Sequence, residues 1–226
     1  MSRVCGLLFI AVSLHAAQVD AGTSNLPALI RETQKLTNSA DDFVLIWWIP
    51  HEYWQAALKD NPRITDTQKQ DIFKTVEDYT IVGVVDAKKG GLAGFSYTAS
   101  DVVQKTAKLT APNGKVFSPL SESDLSNAAR NLVSMLKPFF GNLLGQLGQN
   151  TIFVVFPAKD EDGKSLIDPL KEGRFVVDEN NHEASWQLPL ASLLPENICP
   201  TCGEHLPGNY KFCPYDGTKL GETADK

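Results

Sequence analysis

Cys199-Pro200-Thr201-Cys202-Gly203 and Cys213-Pro214-Tyr215-Asp216-Gly217 repeat one five-residue pattern: Cys, Pro, any residue, a potential metal ligand, Gly. Asp216 stands in the second unit where Cys202 stands in the first. Ten residues separate Cys202 from Cys213, with the turn signal Pro207-Gly208-Asn209 near their middle. A Cys-x-x-Cys turn lets two sulfurs reach one ion. Proline after the first ligand stiffens that turn, and glycine after the second tolerates positive φ and lets backbone N–H groups approach sulfur. The layout predicts two metal knuckles brought together by a hairpin.

Zinc takes four tetrahedral ligands, and thiolates are its common structural partners. Residues 199 to about 220 resemble the zinc ribbon family, in particular short bacterial ribbons with a Cys-Pro-x-Cys-Gly knuckle followed by Phe-Cys-Pro-x-x-Gly. The resemblance covers under a seventh of the chain and implies a structural Zn(2+) site with Cys199, Cys202 and Cys213 as sulfur ligands. Asp216 departs from the usual fourth Cys, but a carboxylate also ligates zinc. Asp216 is preferred by its symmetric position; His205, three residues after Cys202, is the competitor. A ribbon that keeps its shape without metal is a further alternative. Three thiolates would blunt the Lewis acidity that a catalytic zinc needs. A redox Cys-x-x-Cys opens a helix, whereas Gly203, Pro207 and Gly208 read as a hairpin.

The chain begins Met-Ser-Arg3, continues with an apolar run over 4–14 and reaches small residues at Ala16, Ala17 and Ala21. This reads as a secretory signal peptide over 1–21, with cleavage after Ala21 or, alternatively, after Ala17. The apolar run is too short to anchor the chain across a bilayer, so the mature form is expected to lack a transmembrane anchor and to be periplasmic or secreted. Cleavage after Ala21 removes Arg3 and Asp20, one charge of each sign, and the net charge stays at −6. An acidic chain is a poor nucleic-acid binder, because phosphate contacts need clustered Lys and Arg. Loss of Cys5 leaves three cysteines, all in the tail. An odd number is awkward for disulfides in an oxidising compartment. Three metal ligands account for it, although a Cys199–Cys202 disulfide competes.

Residues 22–194 read as an α+β body, ahead of the ribbon-like tail at 195–226. Helical spacing over 25–38 is followed by the apolar run Phe43-Val-Leu-Ile-Trp-Trp-Ile49, a buried strand ending at Pro50. A short helix is expected over 51–58, and Thr65-Asp-Thr-Gln68 is a capping box that opens another. A strand over 79–85 turns at 88–91 and returns over 92–98. Pro112-Asn113-Gly114 marks a hairpin between 105–110 and 115–117. Ser121-Glu-Ser-Asp124 is expected to start the longest helix, kinked or broken at Pro138. A strand over 151–156 and a hairpin turning at 179–182 complete the body. The order is not a regular βαβ series and predicts a mainly antiparallel sheet with helices on one face.

No motif in the body names a reaction. Ala158-Lys-Asp-Glu-Asp-Gly163-Lys164-Ser165 partly matches a phosphate-binding loop, but its first glycine is missing and its three acids would repel phosphate. It is better read as an acidic hairpin. His51-Glu52-Tyr53-Trp54-Gln55 has Gln where a helical zinc site needs a second His. Trp47, Trp48, Tyr53 and Trp54 form a dense aromatic group. Trp47 and Trp48 must point to opposite faces of a strand, so core packing is favoured over a partner surface. The resulting expectation is an exported, non-enzymatic binding or assembly protein of the bacterial envelope with a structural zinc ribbon and an unidentified protein or envelope partner. The alternatives are an envelope hydrolase with its site near His51 and Glu52, and zinc storage or sensing.

Overall fold

A computed structural model describes residues 26–91 and 94–221; the expected signal segment, 1–21, lies outside them. The described residues open with α1 (Leu26–Thr33), β1 (Gln34–Asn38), β2 (Asp42–Ile49), α2 (His51–Leu58) and α3 (Asp66–Val76). Then come β3 (Tyr79–Lys89), β4 (Phe95–Tyr97), α4 (Ser100–Thr106), β5 (Lys108–Thr110) and β6 (Val116–Phe117). The C-terminal half holds α5 (Asn127–Leu144), α6 (Gln146–Gln149), β7 (Ile152–Pro157), β8 (Gly173–Glu179), β9 (His182–Leu188), β10 (Asn197–Ile198) and β11 (His205–Leu206). The architecture is α+β, and every pairing between these strands is antiparallel.

One sheet runs β1-β2-β3-β4, with β7 also pairing β3; the second runs β6-β5-β8-β9. β4 and β7 share one edge of the long β3: β4 opposes residues 87–89 and β7 opposes 79–84. β2 lies between two partners and is buried from Ile46 to Ile49, which is why its sequence is a continuous apolar run rather than an alternating one. Its adjacent tryptophans do face opposite ways. Trp47 meets Tyr53 of α2 and Phe140 of α5, with ring centroids 5.4 and 5.2 Å away. Trp48 meets Phe175 of β8 at 4.7 Å and Trp186 of β9 at 6.2 Å. Around β2, helices cover one face, as expected, and the second sheet covers the other. The aromatic group is core: Trp47, Trp48, Tyr53 and Trp54 are all buried.

Three expectations are corrected, the last of them only as to a break in the helix. The first helix stops at Thr33, and 34–38 become β1, paired residue for residue with β2. Gln-Lys-Leu-Thr-Asn suits an exposed edge strand, and pairing with β2 overrides its local helical spacing. The Ser121 box caps a single 3-10 turn over Glu122–Asp124; α5 is capped instead by Ser126, whose hydroxyl accepts from Ala129 N at 3.1 Å. Finally, α5 continues through Pro138 to Leu144. Proline removes the bond to the carbonyl four residues back, but Ser134 and Pro138 lie on the exposed side, where water can replace it. The Thr65–Gln68 capping box forms as expected.

Gly148 explains the tight α5–α6 junction. A Cβ there would lie 1.8 Å from the carbonyl oxygen of Phe140, so only glycine fits.

Candidate metal centre

The tail contains its own small buried cluster, Cys199, Leu206, Cys213 and Leu220. Its two five-residue units adopt the same backbone. Gly203 N donates to Cys199 O and Gly217 N donates to Cys213 O, each at 2.9 Å. Cys199 N donates to Glu204 O at 2.9 Å and Cys213 N donates to Thr218 O at 2.7 Å. Gly203 and Gly217 both have positive φ, +77° and +75°, the conformation for which the sequence pattern reserves glycine. Thr218 Oγ1 donates to Thr201 Oγ1 at 2.9 Å, joining one unit to the other. The units are held against the body by Asn209 Nδ2, which donates to Pro189 O at 3.2 Å, and by the Lys211–Glu172 ion pair.

Each unit supplies one buried and one exposed ligand: Cys199 with Cys202, and Cys213 with Asp216. One donor atom from each of the four lies within 4.8 Å of all the others, close enough to bind a metal ion. Two edges of this group can be compared with a zinc tetrahedron. Zn–S bonds of about 2.3 Å and a Zn–O bond of about 2.0 Å require S···S near 3.8 Å and S···O near 3.5 Å. Cys202 Sγ lies 3.6 Å from Cys213 Sγ, and Cys199 Sγ lies 3.4 Å from Asp216 Oδ2. The donor set fits. The three cysteines are free thiols, and 3.6 Å is far beyond the disulfide length of about 2.05 Å. His205, the competing fourth ligand, lies outside the group and pairs with Glu196 at 3.0 Å.

Electrostatics at the group are those of negative charges drawn together. Burial pushes the Cys199 thiol up, but N–H groups of Cys202 and Thr201 and the neighbouring thiols outweigh it and its pKa is lowered. Cys202 is pushed up to about 12: the N–H of Glu204 pulls it down, and burial together with Cys199, Asp216 and Cys213 more than reverses that. The backbone N–H and hydroxyl of Thr218 hold the Asp216 carboxyl well below the usual carboxylate range. A dication bound here would displace the thiol protons, since thiolates, not thiols, bind metal. Four protein ligands on one ion would leave no open position for water, the property that separates a structural site from a catalytic one.

A second cluster of polar groups lies in the body. A cleft of about 440 Å³ is lined by His51, Glu52, Tyr79, Lys159, Ser165 and Asp168 among others. His51 Nε2 lies 2.9 Å from Gln55 Nε2, while His51 Nδ1 and Glu52 Oε2 are buried without a hydrogen-bond partner. Burial pushes Glu52 above the ordinary carboxyl range against its own N–H and His51, and Asp168 adds to the rise. The Asp168 carboxyl is held low, chiefly by its bond to Lys171. The sequence singled out His51 and Glu52 but not Asp168, Ser165 or Lys159, which reach the cleft through the 158–169 segment. There the acidic loop is the expected hairpin, closed by Asp160 N to Lys164 O at 2.9 Å, with Gly163 at φ +75°.

The chain matches no family model, no curated protein and no solved structure. Among the described residues no helix is long and apolar enough to cross a membrane.

Proposed function

We propose that this is an exported protein of the bacterial envelope whose tail is a structural zinc ribbon and whose α+β body works by binding or assembly rather than turnover. The observation that carries the reading is the convergence of Cys199, Cys202, Cys213 and Asp216 from two backbone-matched units. Zinc is favoured by a donor set of three sulfurs and one carboxylate whose spacing suits a tetrahedron. Cys199, Cys202, Cys213 and Asp216 would hold the ion, which supplies cross-linking and no reaction. Export is favoured by the basic, apolar and small-residue order of 1–21. A protein partner is favoured over nucleic acid by the net charge of −6. It is also favoured by the exposed Ile198, Tyr210, Phe212 and Tyr215 around the centre, 61, 44, 58 and 72 % accessible. Aromatic side chains presented on a rigid support are typical anchors for a partner.

One observation favours a second reading, an envelope hydrolase. The cleft holds two carboxyl groups shifted in opposite directions, Glu52 raised by burial and Asp168 lowered by its bond to Lys171, and carboxyl groups driven apart in pKa are the usual acid–base arrangement. Chromogenic ester, peptide and glycoside substrates distinguish the two readings. The binding reading expects no turnover above buffer. Turnover that is abolished in Glu52→Gln while the variant stays folded would replace it with the hydrolase.

A further inference from the structure

Asp86 and Glu179 are 2 % and 0 % exposed and lie on different sheets, Asp86 on β3 and Glu179 at the end of β8. Thr98 Oγ1 donates to Asp86 Oδ2 at 2.6 Å, and Asn180 Nδ2 donates to the same oxygen at 3.3 Å. Thr106 Oγ1, the last residue of α4, donates to Glu179 Oε1 at 3.1 Å. The remaining oxygens, Asp86 Oδ1 and Glu179 Oε2, are buried with no partner. Among the described residues no Lys, Arg or His forms an ion pair with either carboxyl group. Lys88 feels the charge of Asp86 but is exposed and ion-paired to Asp42 instead, and two buried anions with no ion pair of their own are strongly disfavoured. A proton on one removes a charge and turns an orphan acceptor into a donor.

We propose that Asp86 and Glu179 form a proton-operated latch that ties the tip of the β8–β9 hairpin to β3, closed while the pair carries one proton and loosened when both groups are ionised. Asn180 makes the mechanical link, because it follows Glu179 in the chain and bonds Asp86 directly. Asn180 and Asn181 both have positive φ, 48° and 66°, the mark of a tight two-residue turn, so the tip moves as a unit. Glu179 carries the proton. Asp86 accepts two hydrogen bonds, whereas Glu179 has only the Thr106 hydroxyl, whose single proton also reaches Val102 O at 3.0 Å. Burial, then the charge of Asp86, drive Glu179 up to about 7 against the Thr106 bond, and Asp178 adds to the rise. A divalent cation is the competing source of positive charge. Calcium and magnesium need six or more oxygen ligands, whereas two oxygens are open here and a proton needs one donor and one acceptor.

The other charged groups nearby are Asp178 and His182 on the hairpin and the Asp42–Lys88 pair across β2 and β3, with the exposed Asp101–Lys105 pair on α4. For a carboxyl group raised in the folded state, the stabilisation is complete below the unfolded value near 4.5. It is lost as pH rises through about 7. Stability therefore falls between roughly pH 5 and pH 8.

The test is amide hydrogen exchange of the full chain from pH 5.5 to 8.5, corrected for intrinsic exchange, read at hairpin residues 175–186. Opening of these amides should increase about 10- to 100-fold over that range. Glu179→Gln, which keeps the shape and donates without charge, should flatten the dependence. Histidine as a residue type also titrates near neutral pH, so His182→Gln must retain the slope. Asp86→Asn removes the repelling charge and should move the opening to higher pH, which keeps the test intact if Glu179→Gln does not fold. The latch is overturned by a flat wild-type profile, by a slope that survives in Glu179→Gln, by an unmoved midpoint in Asp86→Asn, or by recovery of protection at pH 8.5 on adding millimolar calcium or magnesium.

Discussion

Replacing Cys213 by Ser should empty the metal centre and unfold the tail while leaving the body folded. Cys213 is buried, its sulfur lies 3.6 Å from that of Cys202, and its backbone closes the second unit through Thr218. The tail has little else to hold it. Its buried cluster contains two leucines besides two of the cysteines, and each leucine contributes about 2 kcal/mol on burial. Zinc binding in isolated fingers supplies about 10–16 kcal/mol at neutral pH, and the short β10–β11 pairing adds little. The expected result is metal content falling from one ion per chain to below roughly a tenth, a consequence of losing one of four ligands. Protease cleavage should then appear between residues 200 and 215. Melting of the body should stay within about 2 °C of wild type, since the Asn209 bond and the exposed Lys211–Glu172 pair that hold the units to it are weak. Retention of both metal and protection would refute the assignment.

Trp186→Ala should give the largest loss in the body. Trp186 is 1 % exposed, stacks on Phe175 with centroids 4.7 Å apart and planes 11° from parallel, and meets Trp48 edge-on. Its indole N–H donates to Thr33 O at 3.0 Å, fixing the end of α1 where the chain turns into β1. Truncating a buried Trp costs about 3–5 kcal/mol, and the Thr33 carbonyl is left without this donor. For a chain of this size about 4 kcal/mol corresponds to roughly 8–16 °C in melting temperature. Circular dichroism on heating checks this, with Trp186→Phe expected to recover about half of the loss because the ring stack survives and the hydrogen bond does not. A shift below about 3 °C would mean that the two sheets do not share this cluster as a common core.

The features legible in the sequence are those set by neighbours in the chain. The tail units are turns of five residues whose glycines and prolines act locally, so the repeated pattern points to Cys199, Cys202 and Cys213 and prefers Asp216 to His205 only by its symmetric position. The Thr65–Gln68 box, the strand at Phe43–Ile49 and the turn at Asn180–Asn181 follow the same rule. What stays hidden depends on distant partners. Gln34–Asn38 carries no strand pattern and becomes β1 because β2 offers an edge. The turn at 112–114 marks Lys108–Thr110 as a hairpin strand beside Val116–Phe117, but nothing local shows that it also joins β8 and organises the second sheet. The exposed setting of Pro138 decides that α5 continues. Asp86 and Glu179 look like any surface acids until the sheets bury them, and Asp168 joins His51 and Glu52 across more than a hundred residues of chain.

X-ray absorption at the zinc edge, with metal analysis and intact mass on protein recovered from the exported fraction, tests the central claim most directly. The account predicts a mature chain starting at Gly22 with one zinc per molecule. Three sulfur neighbours should lie near 2.3 Å and one oxygen near 2.0 Å. Absence of zinc together with a Cys199–Cys202 disulfide, or fewer than three sulfurs around the ion, would contradict it.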